Sequence, residues 1–211
     1  MRASKAASFK QGYTTGARTL ASRSVVGLAR TRMTPNALTA GGVILCLAAS
    51  VLVLFERHSE IAIFWAAAAI FVVGSLLDIL DGALARAGGK TTAFGAFLDS
   101  TTDRVSEGFM LAAIAYVLAN AHRPVFAAVA AAGIAASFLV SYTRAKAEAL
   151  GLRGDVGIGS RAERVVVITA GLVLAPWGVL PWALVLLTAT AWFTVLQRVL
   201  HVRKQLMEAQ R

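Results

Sequence analysis

Six long apolar stretches, near residues 36–55, 61–83, 94–119, 124–147, 162–178 and 181–200, dominate this 211-residue chain. A bilayer core takes about 20 apolar residues per helix, and helices satisfy their own backbone polar groups there. Charged residues make up 15% of the chain, against about 25% in soluble domains. The expected fold is therefore all-α and integral to the membrane, with six transmembrane helices. Residues 1–33 stand apart, because Phe9, Tyr13, Leu20, Val25, Val26 and Leu28 are set among Arg and Lys. That is the pattern of an N-terminal amphipathic juxtamembrane helix. The expected division is 1–33 as a cytoplasmic amphipathic segment, 34–200 as the six-helix domain and 201–211 as a cytoplasmic tail.

The net charge of +10 is distributed in one direction. Of 21 Lys and Arg, only Arg57 and Arg123 fall in loops on one side of the expected bundle. The other 19 lie on the opposite side or at its membrane boundary. Such asymmetry follows the positive-inside rule and places both termini in the cytoplasm. Basic residues at that boundary attract anionic membrane lipids. A nucleic-acid binder carries its basic patch on a soluble module, and none is visible, so nucleic acid is not an expected partner. Cys46 is the only cysteine and lies in an apolar stretch, which excludes an internal disulfide and suits a packed thiol.

Local signals mark several boundaries. Thr34 is an expected N-cap, with Pro35 at the first helical position. Gly88-Gly89-Lys90 is the strongest turn signal and is expected to reverse the chain between the second and third spans. Those two spans are then expected to lie side by side as antiparallel neighbours.

Against this apolar background stand four aspartates. Asp78-Ile79-Leu80-Asp81-Gly82-Ala83-Leu84-Ala85-Arg86 is followed eight residues later by Gly95-Ala96-Phe97-Leu98-Asp99-Ser100-Thr101-Thr102-Asp103. The whole chain has only 11 acidic residues, and a carboxylate in or beside a bilayer is costly unless paired. Asp78 and Asp81 are three apart and Asp99 and Asp103 four apart, so each pair shares one helical face. Four converging carboxylates suit hard cations, Mg²⁺ or else Mn²⁺, and two such ions clamp a transferring phosphoryl group. Solvated helix caps explain one aspartate better than four at matched spacings. A cation-coupled membrane transporter remains the rival from another class, since intramembrane carboxylates also serve transport. The spacing of an EF-hand loop is absent.

This window resembles the signature of the CDP-alcohol phosphotransferase family, D-x-x-D-G-x-x-A-R-x8-G-x3-D-x3-D, with every fixed position present. At typical residue frequencies a chance match at one start is on the order of 10⁻⁹. The resemblance implies a six-span enzyme that transfers the phosphatidyl group of CDP-diacylglycerol to an alcohol and releases CMP. It implies two Mg²⁺ ions, the first held by Asp78, Asp81 and Asp99 and the second by Asp78, Asp99 and Asp103. Asp103 is implied as the catalytic general base. Asn36, Thr39, Gly82, Arg86 and Thr92 match positions that bind the CDP-lipid. A homodimer is also implied.

The acceptor is addressed by other residues. Arg144, Lys146, Arg164 and Arg198 lie at the expected cytoplasmic ends of the last three spans. Cations there suit an acceptor carrying its own phosphate, a phosphorylated polyol, whereas taken singly each is an ordinary positive-inside anchor. The stretch Ser141 to Gly154, followed by Ala162-Glu163-Arg164, resembles the bacterial phosphatidylinositol-phosphate synthases within that family. Arg144 and Lys146 stand in swapped order, and Gly159-Ser160-Arg161 replaces a more acidic, proline-containing segment. The resemblance implies 1D-myo-inositol 3-phosphate as acceptor, bound by Arg144, Lys146, Arg164 and Arg198, with phosphatidylinositol phosphate as product. The alternative is a phosphatidylglycerophosphate synthase using glycerol 3-phosphate. The implied location is the bacterial cytoplasmic membrane, crossed several times.

Overall fold

A computed structural model describes residues 34–89 and 91–209. The segment 1–33, expected to be amphipathic, lies outside the described residues. Among the described residues six α-helices form, α1 Pro35–Val53, α2 Glu60–Ala87, α3 Ala93–Asn120, α4 Pro124–Ala149, α5 Arg161–Val173 and α6 Leu180–Ala209. Two short 3₁₀ turns, Glu56–His58 and Ala175–Trp177, complete the order, and no strand occurs among the described residues.

Four helices, α1, α2, α4 and α6, are long and apolar enough to cross a membrane. The other two depart from that standard for different reasons. Helix α3 has the length but carries Asp99, Asp103, Arg104 and Glu107 between its start and its middle. Helix α5 has only 13 residues, short of the roughly 20 that span a bilayer, and is prolonged by the second 3₁₀ turn. The last helix runs on without a break through His201 to Ala209. The outside of the bundle is apolar, with Ile44, Trp65, Val73, Phe109, Phe138, Leu186 and Trp192 all exposed. A soluble domain rarely tolerates so much contiguous apolar surface. This is a membrane protein.

The main helix contacts close a ring in the order α1, α2, α5, α6, α4, α3 and back to α1. Helices α2 and α3, expected to be packed neighbours, are instead separated, with α1 packed against both. The reason is the pair of acidic faces, which point into the space that close packing would have filled. The closest crossing is between α1 and α2. A Cβ on Gly42 would lie 2.8 Å from the Gly74 carbonyl oxygen, and one on Gly74 would lie 2.7 Å from Cys46 Sγ. Missing side chains let the two backbones approach, a common device between membrane helices. Cys46 is accordingly a buried free thiol.

The apolar core occupies the half of the ring away from the aspartates. Val53, Phe64, Phe71, Met110, Leu111, Ile114, Ile168, Leu172, Leu184 and Leu187 are buried together there. The other half opens into cavities. Thr34 caps α1 as expected, its hydroxyl accepting from the Ala37 amide at 3.3 Å. Gly89 turns the chain after α2 at φ +61°.

Candidate functional site

Three of the four aspartates converge. One carboxylate oxygen each from Asp78, Asp99 and Asp103 lies within 4.8 Å of the others. Asp78 sits near the C-terminal end of α2 and the other two near the start of α3, so the spacing that put each pair on one helical face also aims them inward. Asp81, one turn beyond Asp78, is buried and accepts a hydrogen bond from the Thr39 hydroxyl of α1. It faces the other side of Asp78, toward a separate cavity.

The donor set fits a divalent cation. All three converging groups are carboxylates, the ligands that Mg²⁺ and Mn²⁺ prefer. Asp103 Oδ1 is buried and has no hydrogen-bond partner, a costly state for a carboxylate unless a cation meets it. A cation from the chain stands beside it. Arg161, the first residue of α5, donates to Asp78 Oδ2, and its Nη1 lies 2.7 Å from Asp103 Oδ1. Burial opposes the charge on Arg161, yet Asp103 and then Asp78 outweigh it and hold its pKa above the ordinary guanidinium value.

Two cavities meet at this cluster, and Asp99 lines both. The first, of about 390 Å³, is bounded by Asn36, Thr39, Asp81, Gly82, Arg86 and Thr92 among others. The structure thus gathers all five candidate CDP-lipid residues around one space with two of the aspartates. They arrive from three elements: the start of α1, the end of α2, and the turn into α3. Thr92 also caps α3, accepting from the Gly95 amide at 2.9 Å.

The second cavity, of about 450 Å³, is lined by Asp99, Asp103, Arg104, Arg144, Glu148, Asp155, Arg161, Arg164 and Arg198. Three of the four acceptor candidates are therefore present. Lys146 does not line it. Two residues along a helix turn the side chain by about 200°, so Arg144 and Lys146 leave α4 on opposite faces. The cations that do line the cavity differ in how they are held. Arg144 is exposed and pairs with Glu148 at 2.9 Å. Arg164 is buried in a two-bonded pair with Glu107 and also donates to the Gly159 carbonyl at 2.7 Å. Arg198 donates to the carbonyls of Val156, at 2.8 Å, and Val140. Arg164 and Arg198 therefore fasten the loop 150–160 to the bundle while lending charge to the cavity.

That loop is fitted tightly. Gly157 adopts φ +124°, and a Cβ there would lie 2.3 Å from Thr194 of α6. Thr194 in turn accepts from the Gly159 amide at 2.9 Å. Ser160 and Glu163 then form a reciprocal capping box at the start of α5, which fixes the direction in which Arg161 and Arg164 leave the helix.

Glu107 and Arg161 were not among the candidate site residues. Glu107 had a signal, since Asp99, Asp103 and Glu107 repeat every four residues along one face of α3. Arg161 stood out only as part of the departure Gly159-Ser160-Arg161, and its carboxylate partners, far away in the chain, were not marked by it.

A family model described as CDP-alcohol phosphatidyltransferase matches residues 32–197. The chain is 40% identical over 143 residues to an archaetidylinositol phosphate synthase of Methanothermobacter thermautotrophicus, covering 66% of this chain and 70% of that one. It is 37% identical over 182 residues to a phosphatidylinositol phosphate synthase of Mycolicibacterium smegmatis, covering 82% and 79%. Its fold is similar to crystal structures of the Mycobacterium tuberculosis phosphatidylinositol phosphate synthase. With CDP-DAG bound, that structure gives a TM-score of 0.77 at 29% identity, covering 87% of this chain and 94% of that one. In complex with manganese and citrate it gives 0.76 at 31% identity, covering 86% and 88%.

Proposed function

We propose that this chain, which belongs to the CDP-alcohol phosphatidyltransferase family, transfers the phosphatidyl group of CDP-diacylglycerol to 1D-myo-inositol 3-phosphate. The products are phosphatidylinositol phosphate and CMP. The observation that carries this reading is the meeting of two unlike cavities at one carboxylate cluster. One is lined by the CDP-lipid candidates and the other by arginines suited to a phosphorylated acceptor. Relatives named as synthases of inositol phosphate lipids lie on both sides of the bacterial–archaeal divide, which favours that acceptor over glycerol 3-phosphate.

Asp78, Asp99 and Asp103 would hold a divalent metal, Mg²⁺ or Mn²⁺, with Asp81 lining the cavity on the donor side. When bound, it neutralises the diphosphate and stabilises charge developing on the phosphoryl oxygens. Asn36, Thr39, Gly82, Arg86 and Thr92 seat the CDP moiety. Arg144, Arg164 and Arg198 attract the acceptor phosphate, and Lys146 contributes long-range charge from the neighbouring face. Asp103, which borders the acceptor cavity, takes the proton of the attacking hydroxyl. The new bond forms between that oxygen and the lipid-side phosphorus, and the bond to CMP breaks.

The asymmetry of Lys and Arg supports six spans with both termini cytoplasmic, so the site faces the cytoplasm and the lipid donor enters from the inner leaflet. By family likeness the enzyme works as a homodimer in the cell membrane. The deciding experiment supplies purified protein with CDP-diacylglycerol and each acceptor in turn. CMP release with inositol 3-phosphate is expected. Release with glycerol 3-phosphate alone would overturn the acceptor, and the absence of CMP release with every alcohol would return the transporter to the front.

A further inference from the structure

Arg161 occupies the position that a metal ion needs. Its guanidinium bonds to Asp78 and lies against Asp103, two of the three carboxylates whose oxygens converge. A cation coordinated there and the guanidinium compete for the same oxygens. Arginine cannot resolve that competition by losing its proton, so it resolves it only by moving. The backbone of residue 161 is pinned by the Ser160–Glu163 capping box, which leaves the side chain as the part that swings. The space open to it is the acceptor cavity, which it already lines beside Arg104 and Arg144.

We propose that Arg161 is a positioning residue that neutralises the carboxylate cluster in the absence of metal and is exchanged into the acceptor cavity when a divalent cation binds. The proposal rests on the divalent-metal assignment made above. Without metal, the single charge of Arg161 offsets the mutual repulsion of Asp78, Asp99 and Asp103, which sit where repulsion is weakly screened. With metal, the displaced guanidinium adds a cation to the cavity that receives the acceptor phosphate. Metal binding thereby strengthens acceptor binding, and by linkage the acceptor strengthens metal binding by the same factor.

The test needs no turnover. Mn²⁺ binding to the full-length protein in detergent is followed by paramagnetic resonance, for the wild type, Arg161→Gln and Arg161→Lys. Inositol 3-phosphate binding is measured calorimetrically with Mn²⁺ and with EDTA. Removal of the competing cation is expected to tighten Mn²⁺ binding about tenfold in Arg161→Gln, within the usual range of coupling between sites. Arg161→Lys, which keeps the charge, falls between. Inositol 3-phosphate is expected to bind the wild type about tenfold more tightly in Mn²⁺ than in EDTA, and the difference shrinks in Arg161→Gln. If Arg161 merely braces α5, the glutamine variant loses stability and binds Mn²⁺ no better, which overturns the exchange. Acceptor binding that ignores metal in the wild type overturns the movement into the cavity. If the wild type binds no Mn²⁺ at all, the metal assignment itself has failed, and the proposal with it.

Discussion

Glu107 of α3 and Arg164 of α5 form a buried, two-bonded ion pair, with Nε to Oε1 at 2.6 Å and Nη2 to Oε2 at 2.9 Å. Helices α3 and α5 are not neighbours in the ring, so the pair crosses the open half of the bundle just beyond Asp103. Because a third bond ties Arg164 to Gly159, the pair also holds the loop that walls the second cavity.

Breaking one side of such a pair leaves an uncompensated buried charge, which typically costs about 3–5 kcal/mol. Glu107→Leu is expected to lower the melting temperature by roughly 10 °C and to raise the KM for the phosphorylated acceptor. Pairing it with Arg164→Met should recover much of the stability but not the KM. Equal melting temperatures for wild type and Glu107→Leu in detergent would remove the pair from any structural role.

Asp103→Asn keeps the shape of the side chain and removes its basicity. Turnover is expected to fall by about 10²–10⁴, the usual contribution of a positioned base, while CDP-diacylglycerol still binds. Single-turnover CMP release alongside lipid-binding measurements separates the two effects. Normal turnover would reassign the base.

Chelation with EDTA should abolish CMP release, and Mg²⁺ or Mn²⁺ should restore it, because Asp78, Asp99 and Asp103 present only hard oxygen donors. Ca²⁺ is expected to bind and restore little, since its looser coordination holds the phosphoryl group less rigidly. Full activity in EDTA would count against the entire metal reading.

Thr39→Val removes the hydroxyl that donates to the buried Asp81 carboxylate. Leaving such an acceptor unmet costs about 1–3 kcal/mol. The KM for CDP-diacylglycerol is therefore expected to rise by roughly tenfold, with a smaller change for the acceptor. Thr39→Ser, which keeps the hydroxyl, should stay near wild type in the same initial-rate assay.

The spacing of the aspartates made the cluster legible in the sequence, because i, i+3 and i, i+4 repeats fix which side chains share a face. The same arithmetic separates Arg144 from Lys146, whose two-residue spacing sends only Arg144 into the cavity. What the spacing did not carry was the relation between helices. Asp78 meets Arg161 across 83 residues and Glu107 meets Arg164 across 57, and no local pattern encodes such partners. The Gly88-Gly89 turn was legible as a turn, yet it did not reveal that α1 would pack against both α2 and α3. That arrangement follows from the close Gly42–Gly74 crossing and from the room the carboxylates require.

Asp99 borders both cavities, so in the proposed reaction donor and acceptor would have separate mouths and a common wall. Neither has to leave before the other arrives, and no nucleophile of the chain has to carry the phosphatidyl group in between. The reaction is then a single direct displacement within a ternary complex. Initial-rate plots at several fixed acceptor concentrations should intersect rather than run parallel, and a donor chiral at the lipid-side phosphorus should give product of inverted configuration. Parallel lines with retention would mean that the two cavities are used in turn rather than together.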